Sequence, residues 1–141
     1  MSRRTLGIGL AATLLAGCSL LVPQGIQTTI PAADGNRALP VTVVDHAAIV
    51  AGVGPARAAA PQDWGRGEVQ SVAGRDDAVL VSWVGGSCDD RAIITIDPDG
   101  DRYTVTVKAQ SSAMGCDAAG HFRSVVLTLT RPTGADAFSM S

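Results

Sequence analysis

Aromatic side chains are scarce in this 141-residue chain, which has two Trp, two Phe and one Tyr. Its core must therefore be aliphatic, built mainly from the Ala, Val, Leu and Ile that dominate the 46% apolar content. Lysine is scarcer still, one residue against ten Arg, and the formal charge is −2. Without residues 1–17 it becomes −4, from 9 basic and 13 acidic residues. A nucleic-acid partner needs a clustered basic surface, and no such cluster is present. Only His46 and His121 are available as imidazoles, and neither has zinc-ligand spacing to a cysteine pair. The three cysteines, Cys18, Cys88 and Cys116, include no pair two residues apart, so a dithiol redox motif is excluded. No apolar run approaches the roughly 20 residues a resident membrane helix needs. No internal repeat divides the chain, and its length suits one domain.

What is present begins at the N-terminus. Ser2-Arg3-Arg4 precedes an apolar stretch from about Leu6 to Ala16, followed by small residues and Cys18. This is the layout of an export signal, and Gly7, Gly9 and Gly17 weaken it as a spanning helix. The motif Leu15-Ala16-Gly17-Cys18 resembles the lipobox of bacterial lipoproteins, over residues 1–19. The resemblance implies that a diacylglyceryl group is added to the Cys18 thiol and that cleavage follows Gly17. Two or three acyl chains, each buried methylene contributing about 0.8 kcal/mol, would give durable membrane attachment. The Arg-rich, Lys-poor composition, with abundant Ala, Gly and Val, points to a GC-rich genome of the actinobacterial kind. The expected location is the outer face of the cell membrane, or an outer membrane in a cell with two.

The expected organisation is a signal peptide over 1–17, a lipidated Cys18 with a flexible tether over 18–40, and a single β-rich domain over 41–141. Residues 19–40 hold three Pro and two Gly without a clear period. Val41 to Val50 opens with β-branched residues and reads as a first strand, and Ala51 to Pro61 as a flexible connection. Five further short segments, 68–72, 78–84, 91–97, 102–110 and 124–130, are rich in Val, Ile, Thr or Leu and bounded by turn residues. Alternation places Ala92, Ile94 and Ile96 inward, then Tyr103, Val105, Val107 and Ala109, then Val125, Leu127 and Leu129. No segment carries a capped helical stripe. The fold class is all-β: a small antiparallel sandwich or curled sheet of five to six strands with one disulfide.

Asp97-Pro98-Asp99-Gly100-Asp101 looks at first like a calcium loop. An EF-hand beginning at Asp97 would place Lys108 where a bidentate Glu belongs, so a hairpin turn around Asp99-Gly100 is expected instead. In that register facing residue numbers sum to about 199, which puts position 88 opposite roughly 111. Cys116 lies just beyond, and a Cys88–Cys116 disulfide follows, as export permits.

Around this bridge, Ser87, Asp89, Asp90, Asp117 and His121 form the candidate binding loops, preceded by Gly85-Gly86. No Gly-Lys-Ser/Thr phosphate loop is present, and no metal site or cofactor is expected. Asp45-His46 supplies two residue types of a hydrolytic triad, but neighbours on a strand point to opposite faces and no Gly-x-Ser-x-Gly elbow exists, so no catalytic set is assigned. Trp83 shares a strand face with Val79 and Val81, and Trp64 is placed over a sheet edge. Residues 60–134 also loosely resemble the globular part of small bacterial envelope lipoproteins with a two-cysteine β domain, a resemblance that brings no active site. The expected role is a non-enzymatic, membrane-tethered module that binds another envelope component. A ligand- or cation-binding lipoprotein using the acidic loops is the alternative, and a hydrolase the remoter one.

Overall fold

The computed structural model describes residues 25–33, 37–56, 67–112, 114, 116 and 120–141. Cys18, Trp64 and Asp117 lie outside the described residues, as does the whole signal-peptide segment. The chain is all-β, in two sheets, with one short 3-10 turn at Ala135–Ala137.

Among the described residues there are nine strands: β1 (Ile26–Ile30), β2 (Leu39–Asp45), β3 (Val50–Pro55), β4 (Glu68–Val72), β5 (Arg75–Gly85), β6 (Arg91–Asp99), β7 (Arg102–Gln110), β8 (His121–Leu129) and β9 (Phe138–Met140). One sheet has the order β1-β2-β6-β7-β9 and the other β3-β8-β5-β4. Pairing is antiparallel except for β2 with β6 and β7 with β9.

Alternation explains the core. Val41, Val43, Ile94, Ile96 and Val105 face Val79, Val81, Val125 and Leu127 across the two sheets, and each is essentially fully buried. The inward residues expected for β6 and β8 are all buried. In β7 the rule weakens along the strand: Tyr103 and Val105 are buried, Val107 is half-buried and Ala109 exposed. β9 pairs only with Tyr103 to Val105, so among the described residues no strand covers the edge of β7 opposite β6 beyond Val105.

Three expectations need correcting. Residues 26–30 are not tether: β1 pairs with β2 from Ile26 opposite Val43 to Ile30 opposite Leu39, with Ile30 buried. Residues 51–55 are not a flexible connection but belong to edge strand β3, which runs along β8 with a register shift between Val50 and Gly52. An edge accepts the glycines and terminal Pro55 that a central strand would reject. The third concerns register, since Arg91 faces Gln110 and Asp99 faces Arg102. The turn therefore lies at Gly100-Asp101, and Gly100 has φ +64° while Asp101 does not share it, the arrangement of a II′ hairpin. A slip of two residues preserves which side faces the core, so the inward set survives the correction.

Candidate functional site

The sandwich has two chemically different ends. At the first, β2 ends in Asp45, whose carboxylate accepts hydrogen bonds from the amides of Ala47 (3.0 Å), Ile49 (2.7 Å) and Val50 (2.7 Å). This clamps a turn in which Ala48 takes φ +54°. Beside it His46 Nδ1 lies 2.6 Å from Asp97 Oδ1, with both side chains about half exposed (57% and 48%). The Asp45-His46 pair is thus divided: Asp45 holds backbone and His46 reaches across to another strand. Among the described residues no serine hydroxyl is hydrogen-bonded to His46.

At the opposite end β5 crosses to β6, from the four-stranded to the five-stranded sheet, and β7 crosses back to β8. Cys88 in the first connection and Cys116 in the second are disulfide-bonded with Cα atoms 5.8 Å apart. The bridge staples the two crossings together. Asp90 reinforces it: its amide donates to Gln110 O at 2.9 Å, and its carboxylate accepts from the Ser112 amide at 3.1 Å and from the Ser112 hydroxyl. These bonds, the hydroxyl's first, lower the Asp90 pKa below the ordinary carboxylate value.

Asp89 turns inward and is only 8% exposed. It closes the Gly86–Asp89 turn, its Oδ2 accepting from the Gly86 amide at 2.8 Å while its own amide donates to Gly86 O at 3.4 Å. Gly85 makes this possible, because a Cβ there would come 2.6 Å from Asp89 Oδ2. Ser87 is half-buried in the same turn. His121, expected in a loop, is instead the first residue of β8 and faces Gly85. Among the described residues neither a carboxylate nor a serine hydroxyl is hydrogen-bonded to it.

Two residues that sequence reasoning did not assign to a site dominate this end. Arg123 and Trp83 are register partners on the core-facing side of β8 and β5. Arg123 is 3% exposed and Trp83 4%. Arg123 Nε and Nη2 and Trp83 Nε1 are all buried without a hydrogen-bond partner. A guanidinium cannot shed its proton, so the charge stays. The signal was available: Arg123 sits two residues before Val125 in the alternation that assigns Val125, Leu127 and Leu129 to the core.

The arrangement offers donors to an acceptor more readily than it offers ligands to a cation. Asp89 and Asp90 are both engaged by protein donors, and among the described residues no group of three or more His, Cys, Asp or Glu converges. No protein-family model, curated protein or solved structure matches the chain.

Proposed function

We propose that this chain is a lipid-anchored binding module of the bacterial envelope, held at the membrane through Cys18 and presenting its disulfide end outward. The observation that carries the reading is the opposition of chain entry and disulfide. Ile26 pairs with Val43, toward the end that holds Asp45, His46 and the Gly100-Asp101 turn, while Cys88, Cys116 and Arg123 lie at the other end. The seven residues Ser19 to Gly25 span at most about 25 Å when extended, so the domain would stand close to the bilayer with its entry end inward.

Cysteine use supports the same reading. A disulfide stapling two crossings belongs in an oxidising compartment, and with Cys88 paired to Cys116 the remaining cysteine is the one in the lipobox-like motif. A binding role fits the buried unpaired donors at the outward end better than a hydrolytic one, since the Asp45 carboxylate is occupied by backbone.

Metabolic labelling with palmitate in a bacterial host tests the anchor. Wild type should be labelled and sediment with membranes, and Cys18→Ala should be unlabelled. Equal membrane retention without label in both would overturn the anchor. A photo-crosslinking amino acid introduced at position 87 on intact cells should capture an envelope component, and capture only from a position such as 101 would overturn the orientation.

A further inference from the structure

The geometry points to Arg123 as the anchor of a binding site for a small monocarboxylate with a short apolar tail, entered beside Trp83. The unpaired nitrogens, Nε and Nη2, form the side-on edge of the guanidinium. That edge presents two parallel N–H groups, the fork that a carboxylate accepts with both oxygens. The same edge binds a carboxylate elsewhere in this chain, where Arg75 Nε and Nη2 donate to Asp77 Oδ1 and Oδ2 at 3.1 and 3.3 Å. At Arg123 the same edge is buried with no oxygen on it. Directly across the strand pair, Trp83 Nε1 is a third buried donor lacking an acceptor.

The nearest buried acid does not fill this place. Asp89 and Arg123 both adjoin Gly85, but Asp89 Oδ2 is held by the Gly86 amide and no ion pair joins the two side chains. A water could accept from the fork but would leave the charge arrangement unchanged. A monocarboxylate balances the single charge of the Arg123 guanidinium, whereas a phosphate dianion leaves a net charge behind. Low-dielectric surroundings favour the smaller residual charge.

The tail has a place as well. Trp83 also lines an open cleft of about 190 Å³ between the sheets, with Val84, Val107, Ala109, Met140 and the terminal Ser141 around it. Gly67 completes the rim, and a Cβ there would run into Met140 and the Ser82 carbonyl. Arg123 does not itself line the cleft; it is the register partner of Trp83, which does, and the proposed site forms when the Trp83 ring moves aside to join the two.

This inference rests on the binding half of the proposed function and not on the lipid anchor. Loss of labelling at Cys18 leaves it standing, and failure of the titration below leaves the anchor standing. The full chain with Trp64→Phe, purified in mild detergent so that Trp83 is the sole indole, is titrated with acetate, butyrate and phosphate at constant ionic strength set by chloride. Saturable Trp83 fluorescence changes are expected with butyrate, weaker ones with acetate, accompanied by a rise in Tm. Arg123→Met should abolish the response, and Arg123→Lys, which keeps charge but not the fork, should weaken it at least tenfold. Without carboxylate, Arg123→Met should melt at or above the wild-type Tm, because it removes an unpaired buried charge. Changes matching chloride alone, tighter phosphate than butyrate binding, retained binding in Arg123→Met, or an Arg123→Met Tm several degrees below wild type would each overturn the assignment.

Discussion

At the entry end of the sandwich a single carboxylate, Asp45, receives three backbone amides and Asp97 holds His46, whereas at the disulfide end Arg123 and Trp83 bury three nitrogen donors that nothing accepts. Both ends carry charge at the mouth of the same core. The first resolves every requirement within a few residues of sequence or across one neighbouring strand. The second uses its local bonds to hold loops, through Asp89, Asp90 and the bridge, and leaves its deepest polar groups open. Buried donors are satisfied in the great majority of native structures, so an open set marks a place where the fold alone does not account for the residue. Strain of this kind belongs to function more often than to folding.

The comparison breaks most visibly at the disulfide. Replacing Cys88 and Cys116 with Ser should cost about 3 to 4 kcal/mol by the chain-entropy estimate for a loop of this size, closed over a sequence separation of 28. Urea unfolding measures the total. Amide exchange should show the loss concentrated at Gly85 to Asp90 and the start of β8, with the Asp45 turn still protected. Uniform loss of protection would mean that the two ends fold as one unit and that the contrast between them is only chemical.

Asp45→Ala attacks the opposite end. It strands the amides of Ile49 and Val50, residues that are 5% and 9% exposed, and orphaned buried donors cost about 1 to 3 kcal/mol each before relaxation. A net loss of about 2 to 3 kcal/mol in urea unfolding is expected. Asp45→Asn should recover part of it, because an amide oxygen can still accept. A loss below about 0.5 kcal/mol would show that the turn is held by packing of Ala47 and Ile49 instead. Smaller again is Gly100→Ala, which forces a side chain into φ +64° at about 1 kcal/mol, with no steric clash to add because nothing lies within 4 Å of the new Cβ.

The two ends also differ in how far they could be read from sequence. Period-two alternation identified β6, β7 and β8, and the inward residues of β6 and β8, because each strand is long enough to repeat the pattern three times; in β7 it held for Tyr103 and Val105 but not for Ala109. β1 and β3 escaped for the complementary reason. Ile26–Ile30 and Val50–Pro55 are short, and their Thr, Gly and Pro content resembles linker; only pairing with β2 and β8 makes them strands. β9, three residues long, depends in the same way on β7. The disulfide was legible from cysteine count and hairpin register even though that register was off by two, since a loop absorbs the difference. Arg123 was not singled out because alternation was used to collect apolar residues, and a charge in phase with Val125 and Leu127 falls outside such a search. Whether that charge has an acceptor depends on Trp83, Gly85 and Asp89, which sequence separates by about 40 residues and only the β5–β8 pairing brings together.

The smallest expected effect separates the satisfied acid of the disulfide end from the unsatisfied base. Ser112 lowers the Asp90 pKa, chiefly through its hydroxyl and then through its amide. A group whose pKa is lower in the folded chain stabilises it above the unfolded value of about 3.9 and loses that contribution as pH falls through the folded value. Ser112→Ala should therefore be slightly less stable than wild type at neutral pH, and the gap should close as pH falls below about 4 and Asp90 takes up its proton. Asp90 is exposed to solvent at this surface, so salt should shrink the neutral-pH gap as well. Chevron midpoints for wild type and Ser112→Ala across that fall in pH measure the gap directly. A gap that stays constant as pH falls would detach the Asp90–Ser112 contact from ionisation.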